Sequence, residues 1–123
     1  MILPKALFLD RDGIINKDNN FVFKKEDFIF YNLIFEIIRI FKNRGFKIII
    51  ITNQSGIGRG LFSETDFQEI NKWMLNVFHD KNLDIDKVYY CPYHPTQGTG
   101  KYLLDHNNRK PNPGMIFEAK KDF

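Results

Sequence analysis

Two aspartates separated by one residue, Asp10 and Asp12, directly follow the apolar segment 5–9. A short apolar run that stops at a polar Gly-containing segment is typical of a buried strand that ends in a loop. Carboxylates this close repel each other unless a cation lies between them, and Mg²⁺ prefers such oxygen ligands. One carboxylate could then attack phosphorus while the other donates a proton to the departing oxygen. A solvated turn is the alternative, because Asp and Gly favour turns.

A second polar segment begins at Thr52, directly after the isoleucine run 48–51. The Thr52 hydroxyl and the backbone N–H groups of residues 53–56 could bind the equatorial oxygens of a transferring phosphoryl group. Arg59 lies among three glycines and could bind a second anion. The segment is not a Walker A loop, because no Gly-Lys-Ser/Thr follows the glycines. A glycine-rich surface loop without a ligand is the alternative.

A basic pair, Arg109 and Lys110, precedes the Pro-Asn-Pro-Gly segment 111–114. A lysine near a helix start could neutralise charge that develops on a phosphate, and the arginine could bind its oxygens through two hydrogen bonds. Taken separately, this pair is equally typical of a solvated basic surface.

Three residues could ligate zinc: Cys91, His94 and His106. Structural zinc sites usually contain two close ligand pairs, and only one such pair is evident here. We therefore favour a packed cysteine and two surface histidines, and we expect no zinc.

The composition is that of one soluble globular domain. The chain has 123 residues, 43% hydrophobic and 27% charged, which excludes a two-domain enzyme with a separate cofactor module. Its formal charge of +3 allows a phosphate-bearing partner without requiring one. The single cysteine rules out an internal disulfide, no apolar run approaches the roughly 20 residues of a membrane span, and no signal-peptide pattern is present. We expect a cytoplasmic protein without a membrane partner.

Strands and helices are predicted to alternate along the chain. Hydrophobic patterns predict strands at residues 5–9, 48–51 and 87–91 and helices at 32–44, 63–80 and 114–122, with a long loop over 92–113. Asn32 and Ser63 are the expected N-caps. This order favours an α/β fold with a parallel sheet, in which ligands bind beyond the carboxyl ends of the strands. The three polar clusters all fall at that edge.

In order, segments 7–13, 50–60 and 109–115 resemble the motifs of the haloacid-dehalogenase (HAD) superfamily of aspartate-nucleophile phosphatases. Within it the sequence is most similar to the capless branch of histidinol-phosphate and heptose-bisphosphate phosphatases, which segment 89–92 supports. The resemblance covers essentially the whole chain and implies a three-layer Rossmann-like core.

The resemblance also implies roles for individual residues. Asp10 would be the nucleophile that forms an aspartyl-phosphate, Asp12 the general acid and then base, and Thr52 and Lys110 the groups that stabilise the phosphoryl group. Mg²⁺ would be bound by Asp10 and the Asp12 carbonyl. Together with Arg59, the residues expected to bind substrate are Asp18, Asn19, Asn20, Phe21, Asn53, Gln54, Ser55 and Arg109.

The substrate implied by the resemblance is a small sugar phosphate, with the 7-phosphate of a heptose 1,7-bisphosphate as the first choice, in the supply of heptose for lipopolysaccharide. A polynucleotide 3'-phosphatase and a histidinol-phosphate phosphatase are the alternatives. We expect no nucleic-acid partner, because +3 is a weak charge for that task. Zinc-bearing members have a Cys/His set near this loop, whereas this sequence has Cys91, Tyr93, His106 and Asn108 at the corresponding positions.

Family members also carry a fourth, acidic motif on a later strand, and its acids complete the Mg²⁺ site. We therefore expect residues 1–123 to be an incomplete HAD-like phosphatase core. The missing strand would leave residues 7–9 at an exposed apolar edge, where self-association or a second chain could complete the sheet. A domain without activity that serves as a binding or assembly partner is the third functional alternative.

Overall fold

The computed structural model describes residues 3–123, so the first two residues of the predicted domain lie outside the described range. Three parallel strands form one sheet in the order β1-β2-β3. The strands are β1 (Lys5–Leu9), β2 (Phe46–Asn53) and β3 (Lys87–Cys91), and the α-helices of this range are α1 (Leu33–Asn43), α2 (Ser55–Gly58), α3 (Glu64–Asp80) and α4 (Gly114–Asp122). The predicted α/β class with a parallel sheet is confirmed.

The central strand β2 separates two apolar layers because its side chains alternate between the faces of the sheet. Ile48 and Ile50 belong to the core that includes residues of α1 and α3, whereas Ile49 and Ile51 pack with Met115 and Ala119 of α4. The four consecutive isoleucines are therefore buried on both faces, as expected for a parallel sheet covered by helices.

The two helix caps expected from the sequence have different outcomes. The Ser63 hydroxyl accepts a hydrogen bond from the Asp66 amide at 3.0 Å, and Asp66 accepts one from the Ser63 amide at 2.9 Å, which is a capping box. Asn32 stands at the N-cap position of α1 as predicted, but its side chain makes no capping hydrogen bond, and its backbone is already helical with φ −59° and ψ −35°.

Two elements differ from the predicted ones. Strand β2 extends beyond residues 48–51 at both ends, and the glycine-rich segment after it forms the short helix α2 instead of a loop. Gly56 and Gly58 of this helix are buried. A Cβ atom at Gly56 would overlap the Phe62 ring, and one at Gly58 would overlap the Pro92 carbonyl oxygen. These glycines are therefore needed for close packing.

Strand β1 has β2 as its partner and no strand on its other side within residues 3–123. Strand β1 is thus an edge strand of the described sheet, as expected, although the side chains of Leu7 and Phe8 are half-buried and that of Leu9 is buried. No helix in the described range combines the length and apolar character that crossing a bilayer requires.

Candidate active site

A polar cavity of about 300 Å³ lies where the polar segments that follow β1 and β2 meet the loop before α4. This location follows from the parallel sheet, because the carboxyl ends of neighbouring strands lie at one edge. The residues that line the cavity are Asp10, Asp12, Asp18, Asn20, Phe21, Asn53, Gln54, Ser55 and Lys110.

Asp10 is paired with a lysine that is distant in sequence. Lys110 Nζ lies 3.0 Å from Asp10 Oδ1, and the Arg11 amide donates to the same oxygen at 2.8 Å. Oδ2 of Asp10 has no hydrogen-bond partner among residues 3–123. The side chain of Asp10 is 42% exposed, so this free oxygen belongs to a solvent-accessible carboxylate.

Asp12 is held by three donors from different parts of the chain. Its carboxylate accepts from Arg11 Nη2 at 2.8 Å, from Asn16 Nδ2 at 3.0 Å and from Gln54 Nε2 at 3.1 Å. The Arg11 side chain is buried and also donates to the Val22 carbonyl at 2.7 Å. Asp12 is therefore oriented by a fixed network, in contrast to Asp10.

Sequence reasoning missed Arg11 and Asn16 as parts of this site. Both side chains are almost fully buried. The available signal was weak: an arginine between two aspartates, and an asparagine four residues after Asp12. Arginine and asparagine are mostly surface residues, so their burial depends on partners that the sequence does not reveal.

The three residues that end β2 and precede α2 have distinct contacts. The Thr52 hydroxyl is buried, accepts from Gln54 Nε2 at 3.0 Å and does not line the cavity. The Asn53 side chain accepts from the Lys110 amide at 3.0 Å and donates to the Lys110 carbonyl at 3.2 Å. Thus Asn53 contacts Lys110, while Gln54 connects Thr52 to Asp12.

One wall of the cavity is formed by Asn20 and Phe21, whose backbones are left-handed with φ 55° and 56°. Such a conformation is uncommon for phenylalanine. The Arg59 guanidinium lies over the Phe21 ring, 5.4 Å from its centroid, and Arg59 Nε donates to Ser55 Oγ at 3.2 Å.

Several predicted substrate-binding residues line this cavity and others do not. Arg109 donates to the Tyr93 carbonyl at 3.3 Å instead of lining the cavity. Asn19 is exposed and does not line the cavity. Arg59 does not line it either, but its guanidinium contacts Phe21, which does. Their roles in binding substrate stay predictions.

The candidate zinc ligands have other partners. His94 Nδ1 accepts from the Gln97 amide at 2.9 Å, and the His106 ring stacks on Tyr93 with centroids 4.5 Å apart. Desolvation, followed by the charges of Arg109 and Arg59, lowers the pKa of His94, whereas burial raises the pKa of the Cys91 thiol. Residues 3–123 contain no group of three or more His, Cys, Asp or Glu side chains placed to hold a metal.

The charged side chains that line the cavity show whether it could hold Mg²⁺. Three carboxylates and one ammonium group line it, so a phosphate would be repelled without a further cation. The oxygens of Asp10 and Asp12 are the hard donors that Mg²⁺ takes, and one or two carboxylates with substrate phosphates often suffice. The donor set therefore fits Mg²⁺.

Comparisons with known proteins identify related phosphatases. The profile of the family described as polynucleotide kinase 3 phosphatase matches residues 5–123. A D-glycero-alpha-D-manno-heptose-1,7-bisphosphate 7-phosphatase from Burkholderia mallei is 50% identical over 119 residues, which cover 97% of this chain and 63% of the relative.

Two solved structures have the same fold. A Mesorhizobium loti structure described as a HAD-like phosphatase is 37% identical with a TM-score of 0.91, over 97% of this chain and 57% of the other. The D,D-heptose 1,7-bisphosphate phosphatase of B. bronchiseptica, complexed with magnesium and phosphate, is 28% identical with a TM-score of 0.82, over 96% and 63%. The chain thus spans about 60% of the length of these proteins. The resemblance to HAD phosphatases is confirmed.

Proposed function

We propose, from the premise that this chain belongs to the polynucleotide kinase 3 phosphatase family, that it forms the core of a Mg²⁺-dependent phosphatase of a small sugar phosphate. The substrate we infer is D-glycero-D-manno-heptose 1,7-bisphosphate, cleaved at the 7-phosphate. The Burkholderia protein is named as a 7-phosphatase of this compound, and the B. bronchiseptica protein as a D,D-heptose 1,7-bisphosphate phosphatase. The observation that carries the proposal is the pairing of Asp10 with Lys110 at 3.0 Å in a cavity that also contains Asp12.

In the first half-reaction, a carboxylate oxygen of Asp10 attacks phosphorus and the bond from phosphorus to the sugar oxygen breaks. Asp12 donates a proton to that oxygen, so the sugar leaves as an alcohol and Asp10 carries an aspartyl-phosphate. The geometry supports Asp10 as the nucleophile because its Oδ2 has no hydrogen-bond partner among residues 3–123. The three donors to Asp12 fix the orientation of that side chain at the cavity.

In the second half-reaction, water attacks phosphorus and Asp12 accepts its proton, which releases orthophosphate and restores the Asp10 carboxylate. Lys110 stabilises the negative charge on the phosphoryl oxygens throughout. Asp10 and the Asp12 main-chain carbonyl would hold Mg²⁺, which would reduce the repulsion between the carboxylates and the phosphate.

The experiment is a substrate panel with Mg²⁺: both anomers of heptose 1,7-bisphosphate, histidinol phosphate and a 3'-phosphorylated oligonucleotide. We expect phosphate release from the heptose bisphosphate, loss of release with EDTA, and loss of release in Asp10→Asn. Preferred turnover of the oligonucleotide would overturn the substrate assignment in favour of a polynucleotide 3'-phosphatase, the candidate that the family description favours. No turnover by the wild-type chain would favour a binding or assembly role.

A further inference from the structure

We infer that Asn53 is a positioning residue that holds the backbone of Lys110 and thereby places its ammonium group beside Asp10. This inference rests on the proposed function, because it assigns to Lys110 the task of binding phosphate. It goes beyond the sequence-based expectation, in which Asn53 is one of the residues that bind substrate.

Two reciprocal hydrogen bonds carry the inference. Oδ1 of Asn53 accepts from the Lys110 amide at 3.0 Å, and Nδ2 donates to the Lys110 carbonyl at 3.2 Å. The side-chain amide therefore pairs with both main-chain groups of one residue, as a neighbouring strand would. Both polar atoms of the Asn53 side chain are engaged with Lys110, and these bonds use one of its two N–H groups and one of its two oxygen lone pairs.

Lys110 depends on this contact because its own segment offers little support. It lies in neither a helix nor a strand. Among residues 3–123, its main-chain N–H and C=O groups have the Asn53 side chain as their hydrogen-bond partner and no backbone partner. The neighbouring amides of Arg109 and Asn112 bond instead within the turn, to the carbonyls of His106 and Arg109.

Asn53, in contrast, stands on a fixed element. It is the last residue of β2 and pairs in register with Cys91 of β3, which is buried. A rigid strand end thus connects through one side chain to a loop, and the loop presents Lys110 Nζ at 3.0 Å from Asp10 Oδ1. Catalytic groups need positions accurate to fractions of an ångström, and such support provides them.

A double-mutant cycle on the binding of inorganic phosphate in the presence of Mg²⁺ tests the inference. We expect Lys110→Ala to raise the Kd about tenfold or more and Asn53→Ala to raise it about fivefold. Because Asn53 acts through Lys110, the double variant should bind no more weakly than Lys110→Ala. A double variant in which the two losses multiply would show that Asn53 contacts phosphate independently, and would overturn the inference.

Asn112→Ala is the matched control. It removes an exposed amide side chain two residues from Lys110, whose hydrogen bond goes to the His106 carbonyl at 3.2 Å. We expect its Kd for phosphate to stay within about twofold of the wild type. Asn53→Ser provides a second variant if Asn53→Ala does not fold, as judged by circular dichroism, and it should give the same non-additivity.

The outcomes separate this inference from the proposed function. The wild type could bind phosphate with the non-additive losses expected for Lys110→Ala and Asn53→Ala, yet fail to hydrolyse heptose bisphosphate. That result contradicts the proposed function and supports the inference. Hydrolysis by a protein whose Asn53→Ala variant keeps full phosphate affinity contradicts the inference. Wild-type phosphate binding that does not depend on Lys110 also overturns it.

Discussion

Lys110 Nζ lies 3.0 Å from Oδ1 of Asp10, which joins the end of the first strand to the loop before the last helix. The two side chains are 25% and 42% exposed. Ion pairs with this exposure contribute about 0–1 kcal/mol to stability, so the pair matters chiefly for the charge beside the carboxylate.

Lys110→Ala should therefore impair phosphate release far more than folding. We expect kcat to fall about 10²–10³-fold, because a charge that stabilises the transferring phosphoryl group is lost. The free energy of unfolding should change by less than about 1 kcal/mol. Steady-state kinetics and urea denaturation measure the two effects, and Lys120→Ala, on the exposed face of α4, is the control. A variant that loses stability but keeps its kcat would contradict the assignment.

Arg11→Met should destabilise the fold, because it leaves the Asp12 carboxylate without its ion pair with Arg11, at 2.8 Å. Removing one partner of a buried pair costs about 3–5 kcal/mol. Because the Asp12 side chain is 21% exposed, we expect a value at the lower end of that range. Urea denaturation should show a lower midpoint. An unchanged midpoint would mean that the pair contributes nothing.

Two further variants distinguish the ion pair from simple packing. Arg39→Met, on the exposed part of α1, should change stability by no more than about 0.5 kcal/mol. The double variant Arg11→Met/Asp12→Asn should recover part of the loss, because it removes both charges.

Gly58→Ala should destabilise the protein by about 1–3 kcal/mol. An added Cβ would overlap the Pro92 carbonyl oxygen, a backbone atom that cannot rotate away, and would lie 2.8 Å from Tyr102 Cβ. Gly60→Asn is the comparison: no atom lies within 4 Å of its Cβ position, so this variant adds the backbone strain of a φ of +79° without a steric overlap, and asparagine adopts positive φ more often than most residues. In thermal denaturation, the Tm of the first variant should fall more than that of the second.

The hydrogen bond that His79 Nδ1 donates to the Asp84 carboxylate, followed by the attraction of the same carboxylate, raises the pKa of His79 above its ordinary value of 6.5. Because the folded state favours the charged imidazole, the interaction stabilises the folded protein fully below the ordinary histidine pKa. This stabilisation is lost as pH rises through the raised pKa of His79. Both side chains are exposed, so the effect should be small. NMR titration should show a lower His79 pKa in Asp84→Asn than in the wild type. The difference in free energy of unfolding between the wild type and Asp84→Asn should shrink as pH rises above the His79 pKa of the wild type. Equal ring pKa values in the two proteins would refute this.

Much of the fold was readable because it depends on local patterns. The isoleucine run predicts a strand buried on both faces, and Ser63 with Asp66 predicts a capped helix start, since both signals act over a few residues. Asn32 lies at the N-cap position but makes no capping hydrogen bond, because a residue type that favours helix caps does not ensure the capping geometry. Helix α2 was missed because the need for its glycines comes from tertiary contacts. Gly56 packs against the Phe62 ring and Gly58 against the Pro92 carbonyl oxygen, and the sequence does not reveal either contact.

For the site, residue types and motif order were enough to single out Asp10, Asp12, Thr52 and Lys110 and to place their segments at one edge of a parallel sheet. The tertiary structure decided which of them meet: Lys110 pairs with Asp10, Gln54 connects Asp12 to Thr52, and Asn53 holds Lys110. Hydrogen bonds require donor and acceptor within about 3 Å, and only the packing of helices and loops on the sheet sets distances of that size between segments far apart in the chain.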